Sequence, residues 1–405
     1  MNILWGMAGI AVIMAIAWLF SVNRRAVNVR TVFVALAIQI LFAFIVLKWE
    51  FGKDVLYKAT QIVGKVIKSS NSGIEFVFGG VLEAEGVGFI FAFQVLTVIV
   101  FFASLIAVLY HLGIMQILIR FIGGGLSRLL KTSKAESISA AANIFVGQTE
   151  APLIVKPYIG RMTKSEVFAV MTGGLATVSG ANLAGYFLLG IPLEYLLAAS
   201  FMAAPGGLLM AKLIVPETEK SETSDTIVLG KNRDAQNVID AAAKGAGDGL
   251  KLALNVGAML VAFISLIALL NIILGGIGGL FGFENLSLEY LLGIVFAPIA
   301  FVMGVPFDEA LMAGSFLGQK AIINEFVAYV SFVPEMANLS DKTNLIISFA
   351  LCGFANVGST AILLGTIGEI ASNQRNTVAQ FALRAVLAGT LANLLSAAIA
   401  GMLMG

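Results

Sequence analysis

The sequence predicts an all-α membrane protein, and composition, hydropathy and the length of its apolar segments support this fold class. Hydrophobic residues make up 59% of the 405 residues and charged residues only 12%, whereas a soluble domain carries about 25% charged residues. The mean hydropathy is +0.95. Several almost wholly apolar segments approach the ~20 residues that a membrane-spanning helix needs. Because so few charges cannot cover a water-exposed surface, we expect lipid to surround most of the chain.

The charge balance and the reactive residues narrow the possible function classes. The 25 basic and 24 acidic residues leave a net charge of +1, which gives no electrostatic reason to expect nucleic acid as a partner. Cys352 is the single cysteine and His111 the single histidine, so an internal disulfide is excluded and little remains for zinc chemistry. The apolar segments contain neither an HExxH motif nor a pair of aspartates. These features argue against an intramembrane enzyme.

Hydropathy predicts eight membrane-spanning helices, at 3–21, 31–48, 88–110, 165–190, 192–214, 249–274, 343–367 and 376–403. The first connection contains Arg24, Arg25 and Arg30, so we expect it to be cytoplasmic. The N-terminus would then lie outside, and eight crossings would bring the C-terminus outside as well. A further apolar run, 286–304, would reverse the orientation of everything after it if it crossed fully. We therefore expect this run to be partly inserted or paired with the next segment.

Two other segments have the pattern of helices that lie along the membrane surface. In 53–68, KDVLYKATQIVGKVIK, apolar residues repeat at helical spacing opposite four lysines. Residues 113–131 look similar but are more apolar. The long polar stretch between Pro216 and Lys251 is expected to be a cytoplasmic linker between two halves of the chain.

Two apolar segments are interrupted in the middle by polar residues. The first, 135–159, contains Gly147, Gln148, Thr149, Glu150 and Pro152. If it crossed as one helix it would place Glu150 in hydrocarbon, at a cost of about 3 kcal/mol or more. The second, 308–334, has Gly318, Gln319, Lys320, Asn324 and Glu325 at its centre. We predict two re-entrant hairpins, each made of two short helices that meet at a polar tip.

Each predicted hairpin is followed by an apolar helix that has its own interruption. The first contains Gly173-Gly174, Thr177, Ser179-Gly180 and Asn182, and the second contains the run 352–359. Two such units in matching places of the two halves are typical of the inverted repeats of secondary transporters. By the crossing count the first hairpin opens from the cytoplasm and the second from outside. A gated channel is the alternative class, but it would need a continuous polar stripe along several helices.

Not every polar residue within a span points to function. We expect Gly173-Gly174 to serve helix packing, and Asn393 and Ser396 in the last span to bond to neighbouring backbone. Asn356 and Ser359 lie beside a glycine and in register with the second hairpin, so for these two residues we expect a functional role.

Three motifs resemble the concentrative nucleoside transporter family: GQTEAP at 147–152, GQKAIINEFVAY at 318–329 and CGFANVGS at 352–359. The resemblance extends over nearly the whole chain and matches the bacterial form of the family. It implies a homotrimer in the bacterial inner membrane, in which a scaffold domain supports a mobile transport domain that holds both hairpins. It also implies an elevator-like movement driven by a sodium or proton gradient, with no cofactor.

The resemblance also implies roles for individual residues. The residues that would contact the nucleobase are Gln148, Thr149 and Glu150. The residues that would hold the ribose are Glu325, Asn356 and Ser359, and Phe354 would form an apolar wall. The sodium ligands would be Asn143, Val146, Thr177 and Val178. Because these residues include no arginine fork for a phosphate, nucleotides should be poor substrates.

The resemblance divides the chain into five parts. These are a mostly scaffold part at 1–131, a first transport half at 132–214, a cytoplasmic linker with an amphipathic helix at 215–250, a scaffold span at 251–285 and a second transport half at 286–405. The presence of Asn143 favours sodium as the coupling ion, because proton-coupled relatives tend to lack this asparagine. Proton coupling remains the alternative. The preference between purines and pyrimidines stays open, since Asn182 and the Val357-Gly358 pair depart from the usual family pattern.

Overall fold

The computed structural model describes residues 2–82, 90–224, 235–283 and 286–404, which form α-helices and short 3₁₀ turns and contain no β-strand. The first helices are α1 (Asn2–Leu19), α2 (Val29–Leu47), α3 (Glu50–Ser69), α4 (Asn71–Leu82), α5 (Phe91–Gln94), α6 (Leu96–His111) and α7 (Ile114–Leu130). They are followed by α8 (Lys134–Ala142), α9 (Ala151–Ile154), α10 (Lys156–Ile159), α11 (Lys164–Ala176), α12 (Gly180–Leu189) and α13 (Leu193–Ile214). The last are α14 (Val238–Leu280), α15 (Leu288–Val302), α16 (Ala310–Ile322), α17 (Glu325–Phe332), α18 (Asp341–Leu351), α19 (Ser359–Ile370) and α20 (Arg375–Leu403). The start of the predicted span 88–110, residues 225–234 of the linker and residues 284–285 lie outside the described ranges.

The predicted spans are all present as helices. Six segments of the described ranges are long and apolar enough to cross a membrane: α2, Phe91–His111, Lys164–Leu189, α13, α14 and Ser372–Leu403. The apolar helix α1 and the interrupted pair α18 and α19 supply the other two. The all-α membrane fold is therefore confirmed.

The apolar run 286–304 forms α15, which is too short to span the bilayer. Its 15 residues extend about 22 Å at 1.5 Å per residue, less than the ~30 Å of the hydrocarbon core. It packs along α16, where Gly293 faces Leu311 and Gly314 faces Ala297. The absence of a Cβ at both glycines allows the two backbones to approach closely. The run is thus paired with the next segment, which is one of the two arrangements expected from the sequence.

The surface helix predicted at 53–68 corresponds to α3, which extends it at both ends. Gly52, Thr60 and Ile67 form its buried side, and its four lysines are exposed. The predicted boundary at residue 250 lies inside α14, a continuous helix of 43 residues. Asn237 caps this helix by accepting from Asp240 N (2.9 Å), so helix formation begins well before the apolar segment does.

The two hairpins open at opposite ends of the bundle. Hairpin 1 (134–159) runs from α8 to α10, and its base lies beside the first turn of α20, where Gln374 Nε2 donates to Met162 O (2.9 Å). Hairpin 2 (310–332) consists of α16 and α17. Met303, just before it, packs against Gly401 at the other end of α20. Since α20 has 29 residues, the two bases are separated by the length of a membrane-spanning helix.

The order of elements repeats along the chain, as an internal repeat requires. The first unit is α6 to α13 and the second is α14 to α20, each with two helices, a hairpin, an interrupted helix and a final span. The final spans also pack across the units: α13 contacts α18 of the second unit, and α20 contacts α11 of the first. Together with the opposed hairpins, this packing corresponds to the inverted repeat expected from the sequence.

The first two helices pack against elements of both halves. α1 contacts α20, and α2 contacts α13. The buried Gln39 of α2 donates through Nε2 to Met202 O (3.0 Å) and to Ser396 Oγ (3.3 Å). α2 also contacts α3 and α7, and the assignment of 1–131 mostly to a scaffold stays a prediction. α6 and α14 pair mainly with each other.

Asn393 of α20 joins the two interrupted helices. Its Nδ2 donates to Ala176 O (2.6 Å), at the end of α11, and to Cys352 O (3.0 Å), just after α18. Its Oδ1 accepts from Lys320 Nζ of hairpin 2 (2.8 Å). Ser396 donates to Ala392 O (3.1 Å). The two residues therefore bond to backbone groups, as expected from the sequence, and Asn393 connects three elements through one side chain.

Gly353→Ala should destabilise this junction. A Cβ at Gly353 would collide with the amide of Asn393, and that amide cannot move without losing three hydrogen bonds. We expect a loss of about 1–3 kcal/mol, seen as a lower melting temperature of the purified protein in detergent. Gly365→Ala is the matched control, because a Cβ there meets nothing and alanine favours a helix. Equal melting temperatures of the two variants would contradict the importance of this junction.

Candidate functional site

Both interrupted helices stop at the centre of the molecule and expose backbone groups there. α11 ends at Ala176, and α12 begins after Ser179, whose hydroxyl accepts from Asn182 N (3.3 Å). α18 ends at Leu351, and α19 begins at Ser359. The two breaks contact each other directly, since Phe354 N donates to Thr177 O (3.1 Å). One unpaired donor of the second break thus satisfies one unpaired acceptor of the first.

The tip of hairpin 1 contacts both breaks. Phe145 O accepts from Gly180 N of the first break (3.0 Å). Gln148 Nε2 donates to Ser359 Oγ at the second break (3.3 Å). A Cβ at Gly174 would crowd Gln148, so the glycine pair in α11 lets the hairpin approach closely. This supports the packing role expected for Gly173-Gly174.

Of the predicted ribose-binding residues, Asn356 and Ser359 lie at the second break, and Glu325 lies at the tip of hairpin 2. Asn356 Oδ1 accepts from Ser359 N (2.9 Å), and Ser359 Oγ donates to Phe354 O (2.7 Å). Val357 N donates to Ala321 O of hairpin 2 (3.3 Å). Glu325 is the first residue of α17 and is only 4% exposed. A carboxylate at a helix N-terminus is stabilised by the helix dipole.

Tyr186 is a member of this site that sequence reasoning missed. It lies on α12, is fully buried, and donates from its hydroxyl to Glu325 Oε1 (3.0 Å). Its ring contacts those of Phe326 and Tyr329, with centroid distances of 4.7 and 4.6 Å. The bond connects the first interrupted helix with the second hairpin. In the sequence, the only indication of this role for Tyr186 was a phenol in the apolar half-helix that follows a break.

The predicted base-contacting residues are divided between the interior and an open surface. Gln148 is 6% exposed, and its Oε1 is buried with no hydrogen-bond donor in the described part of the chain. The side chains of Thr149 and Glu150 are exposed, and so is Val357. Phe354 is partly buried between these groups and the core. The cluster is therefore open on the side of Thr149, Glu150 and Val357.

The four predicted sodium-binding residues are buried together beside the first break. Asn143 ends α8, and its Nδ2 donates to Ser139 O (3.0 Å), whereas its Oδ1 is buried without a donor among the described residues. Thr177 Oγ1 donates to Gly173 O (2.9 Å), so its lone pairs remain able to accept. Val146 and Val178 can contribute only carbonyl oxygens. Such a set of neutral oxygens suits a hard cation like Na⁺.

Family comparisons match almost the whole chain. Residues 8–81 match the model for the N-terminus of Na⁺-dependent nucleoside transporters, and residues 195–401 match the model for their C-terminus. Residues 92–193 match a model described as nucleoside recognition.

Individual relatives and solved structures agree with these matches. The chain is 58% identical to the transporter YutK of Bacillus subtilis over 99% of this chain and 100% of that protein. It is 47% identical to the nucleoside permease NupC of Helicobacter pylori, over 99% of this chain and 98% of that protein. CNTnw in an inward-facing substrate-bound state is 54% identical, with a TM-score of 0.95 over 100% of this chain and 98% of that one. A CNTnw variant in an outward-facing state is 53% identical, with a TM-score of 0.96 and the same coverage. The chain therefore belongs to the concentrative nucleoside transporter family.

Proposed function

We propose that this protein imports nucleosides by symport with sodium ions. The observation that carries the proposal is the contact between Gln148 of hairpin 1 and Ser359 of the second break. This contact joins one predicted base-contacting residue to one predicted ribose-holding residue. The meeting point of two inverted units is where secondary transporters bind their solutes.

The nucleoside would lie with its base toward hairpin 1 and its ribose toward the second break. The buried Oε1 of Gln148 has no donor among the described residues. An amino or imino group of a base would supply one, and Thr149 and Glu150 are its neighbours in the chain. The ribose hydroxyls would bond to Glu325, Asn356 and Ser359. A carboxylate has about four acceptor positions, so the bond from Tyr186 leaves Glu325 able to accept from a hydroxyl. Phe354 would pack against the nucleoside as an apolar wall.

Sodium would bind beside the first break. The buried Oδ1 of Asn143 has no donor in the part of the chain that the structure describes. A cation would satisfy it together with the Thr177 side chain and carbonyl oxygens of Val146, Thr177 and Val178. Because hairpin 1 carries both Asn143 and Gln148, an ion at this place would order the tip that contacts the nucleobase. That connection gives a physical basis for coupling the ion to the nucleoside.

Transport would occur by an elevator-type movement of the hairpins and interrupted helices. CNTnw has been solved in inward-facing and outward-facing states, and this chain matches both closely. The proposed assembly is a homotrimer, and the exposed apolar side chains of α14, such as Val261 and Ile272, offer surface for lipid or a neighbouring protomer.

We place the protein in a bacterial inner membrane with both termini outside. The two termini lie at the same end of the bundle, where Gly6 packs against Met402. The opposite end holds the turn after α1, which bonds to the end of α13 through Val22 N and Ile214 O (2.8 Å). That turn carries Arg24 and Arg25, and the excess of basic residues favours a cytoplasmic position.

Sodium coupling is tested by uptake into proteoliposomes. We expect saturable uptake of labelled uridine that stops when the sodium gradient is collapsed. If uptake follows an imposed pH gradient and does not respond to sodium, the coupling ion is the proton and not sodium. Flux of uridine that does not saturate and does not respond to either gradient would instead indicate a gated channel.

Neutralising the acidic residues of the site should weaken nucleoside binding. We expect Glu325→Gln and Glu150→Gln each to reduce uridine affinity about tenfold or more, because a charged acceptor is lost. Isothermal titration at saturating sodium measures this effect. Glu369→Gln is the control, since Glu369 is exposed on α19 outside the site. Unchanged affinity in both site variants would refute the proposed placement of the nucleoside.

Asn143→Ala should weaken sodium binding more than nucleoside binding. Removal of the buried Oδ1 should raise the sodium concentration for half-maximal uptake about tenfold or more, which corresponds to 1.4 kcal/mol or more. Uridine affinity measured at saturating sodium should change less. Asn338→Ala, at an exposed position, serves as the control. Normal sodium dependence of the Asn143→Ala variant would show that Asn143 is not a sodium ligand.

A further inference from the structure

A cavity of about 270 Å³ opens beside the surface helix α3, away from the candidate nucleoside and sodium sites. Its lining comes from α2, α3, α13, α18 and the C-terminus: Val46, Leu47, Lys53, Leu56, Tyr57, Glu194, Tyr195, Leu345 and Met404. A liquid water occupies ~30 Å³, so this volume corresponds to roughly nine waters. It has room for a small polar headgroup and the start of an acyl chain, but not for a complete phospholipid.

α3 folds back over the end of α2 and forms one wall of the cavity. A Cβ at Gly52 would collide with Ile45 O, so the glycine allows the first turn of α3 to lie directly against α2. Lys53 is the next residue. α3 also contacts α13, whose first turn carries Glu194. The cavity therefore has a lysine on one wall and a glutamate on another.

Lys53 and Glu194 are opposite charges at the mouth of the cavity that do not pair with each other. Both residues are exposed, and the ion pairs closer than 4.0 Å within the described ranges include neither of them. The floor of the cavity is apolar, since Val46 is 8% and Leu345 only 1% exposed. A molecule in the cavity would therefore meet a cation and an anion at the mouth and hydrocarbon below.

The cavity lies at the depth of the lipid headgroups. In α3, apolar residues repeat at helical spacing opposite four lysines, which is typical of a helix that lies along the membrane surface. Trp49, just before α3, and Tyr57 within it are exposed, and such aromatic residues are enriched at the membrane–water interface. Phospholipids are the molecules that surround an opening at this depth.

We propose that this cavity binds the headgroup of an aminophospholipid, with the primary ammonium of the lipid on Glu194 and its phosphate on Lys53. Each charge of the headgroup would then have a partner of opposite sign, and the first methylene groups of the lipid would contact the apolar floor. A choline headgroup has no N–H donor for the carboxylate, and a glycerol headgroup has no cation. Both should therefore bind less tightly than an ethanolamine headgroup.

Lipid titration of the delipidated protein in detergent tests this proposal. Native mass spectrometry counts the lipids bound to each protomer, and the melting temperature reports how tightly they bind. We expect phosphatidylethanolamine to bind about fivefold more tightly than phosphatidylcholine or phosphatidylglycerol with the same acyl chains, which corresponds to one well-formed surface ion pair. This preference should decrease as salt is added, because salt screens exposed charges.

Two substitutions separate the two contacts. Glu194→Gln should abolish the preference for phosphatidylethanolamine over phosphatidylcholine, while both lipids still bind through their phosphate. Lys53→Met should weaken the binding of both lipids by a similar factor, about threefold to fivefold, because both carry the phosphate. Lys58→Met and Glu219→Gln, at exposed positions outside the cavity, should bind lipids like the natural sequence. All four side chains are exposed, so we expect every variant to fold.

Several results would overturn the proposal. Equal binding of the three lipids, or a preference that survives Glu194→Gln, would show that these charges do not recognise the headgroup. Tighter binding of phosphatidylcholine would indicate a cation–π contact with Tyr57 and Tyr195 instead. If Lys53→Met leaves lipid binding unchanged and lowers the oligomeric fraction in native mass spectrometry, the cavity belongs to an interface between protomers. These measurements do not involve transport, so their outcome is independent of sodium coupling.

Discussion

Helices that stop in the middle of a membrane leave peptide groups that must find partners inside the protein, and this requirement organises the structure. Hydrocarbon offers no hydrogen-bond partner, and each unsatisfied group exposed to it costs several kcal/mol. The two breaks satisfy each other through Phe354 N and Thr177 O (3.1 Å), and Asn393 bonds to one carbonyl of each. The hairpins add bonds from Gly180 N to Phe145 O and from Val357 N to Ala321 O. The centre is therefore a polar junction that holds four elements in register.

The same requirement produces the binding chemistry. A junction built from breaks collects helix ends, carbonyls and short polar side chains at one depth, and those are the groups that bind neutral polar solutes and alkali cations. Some of its atoms still lack partners: Gln148 Oε1 and Asn143 Oδ1 are buried without donors in the described part of the protein. Because buried polar atoms are normally satisfied, these two atoms are available to the nucleoside and the sodium ion in the proposed arrangement.

The two units share their order of elements but differ in their hairpin turns. Hairpin 1 turns through eight residues between α8 and α9, whereas hairpin 2 turns through two between α16 and α17. The short turn keeps Lys320 within a helix, close to the end of α18. The longer turn of hairpin 1 carries Gln148 to the second break and leaves Asn143 as the last polar group before it.

The sequence by itself determined the membrane fold, the spans, both hairpins and the residues at their tips. Hydropathy can be read from each segment by itself, because it reflects how well that segment's residues are solvated by lipid or by water. A glutamate within an apolar segment indicates an interrupted helix for the same local reason. The motifs also led to the family. Tertiary structure decided what depends on contacts between distant residues: the bond from Tyr186 to Glu325, the position of Lys320 beside Asn393, and the packing of α1 and α2 against α13 and α20. The continuous α14 was also missed, because a charged helical segment resembles a linker until its cap at Asn237 is seen. Such features depend on how the two units pack against each other. A local sequence pattern does not indicate which helix ends will be in contact.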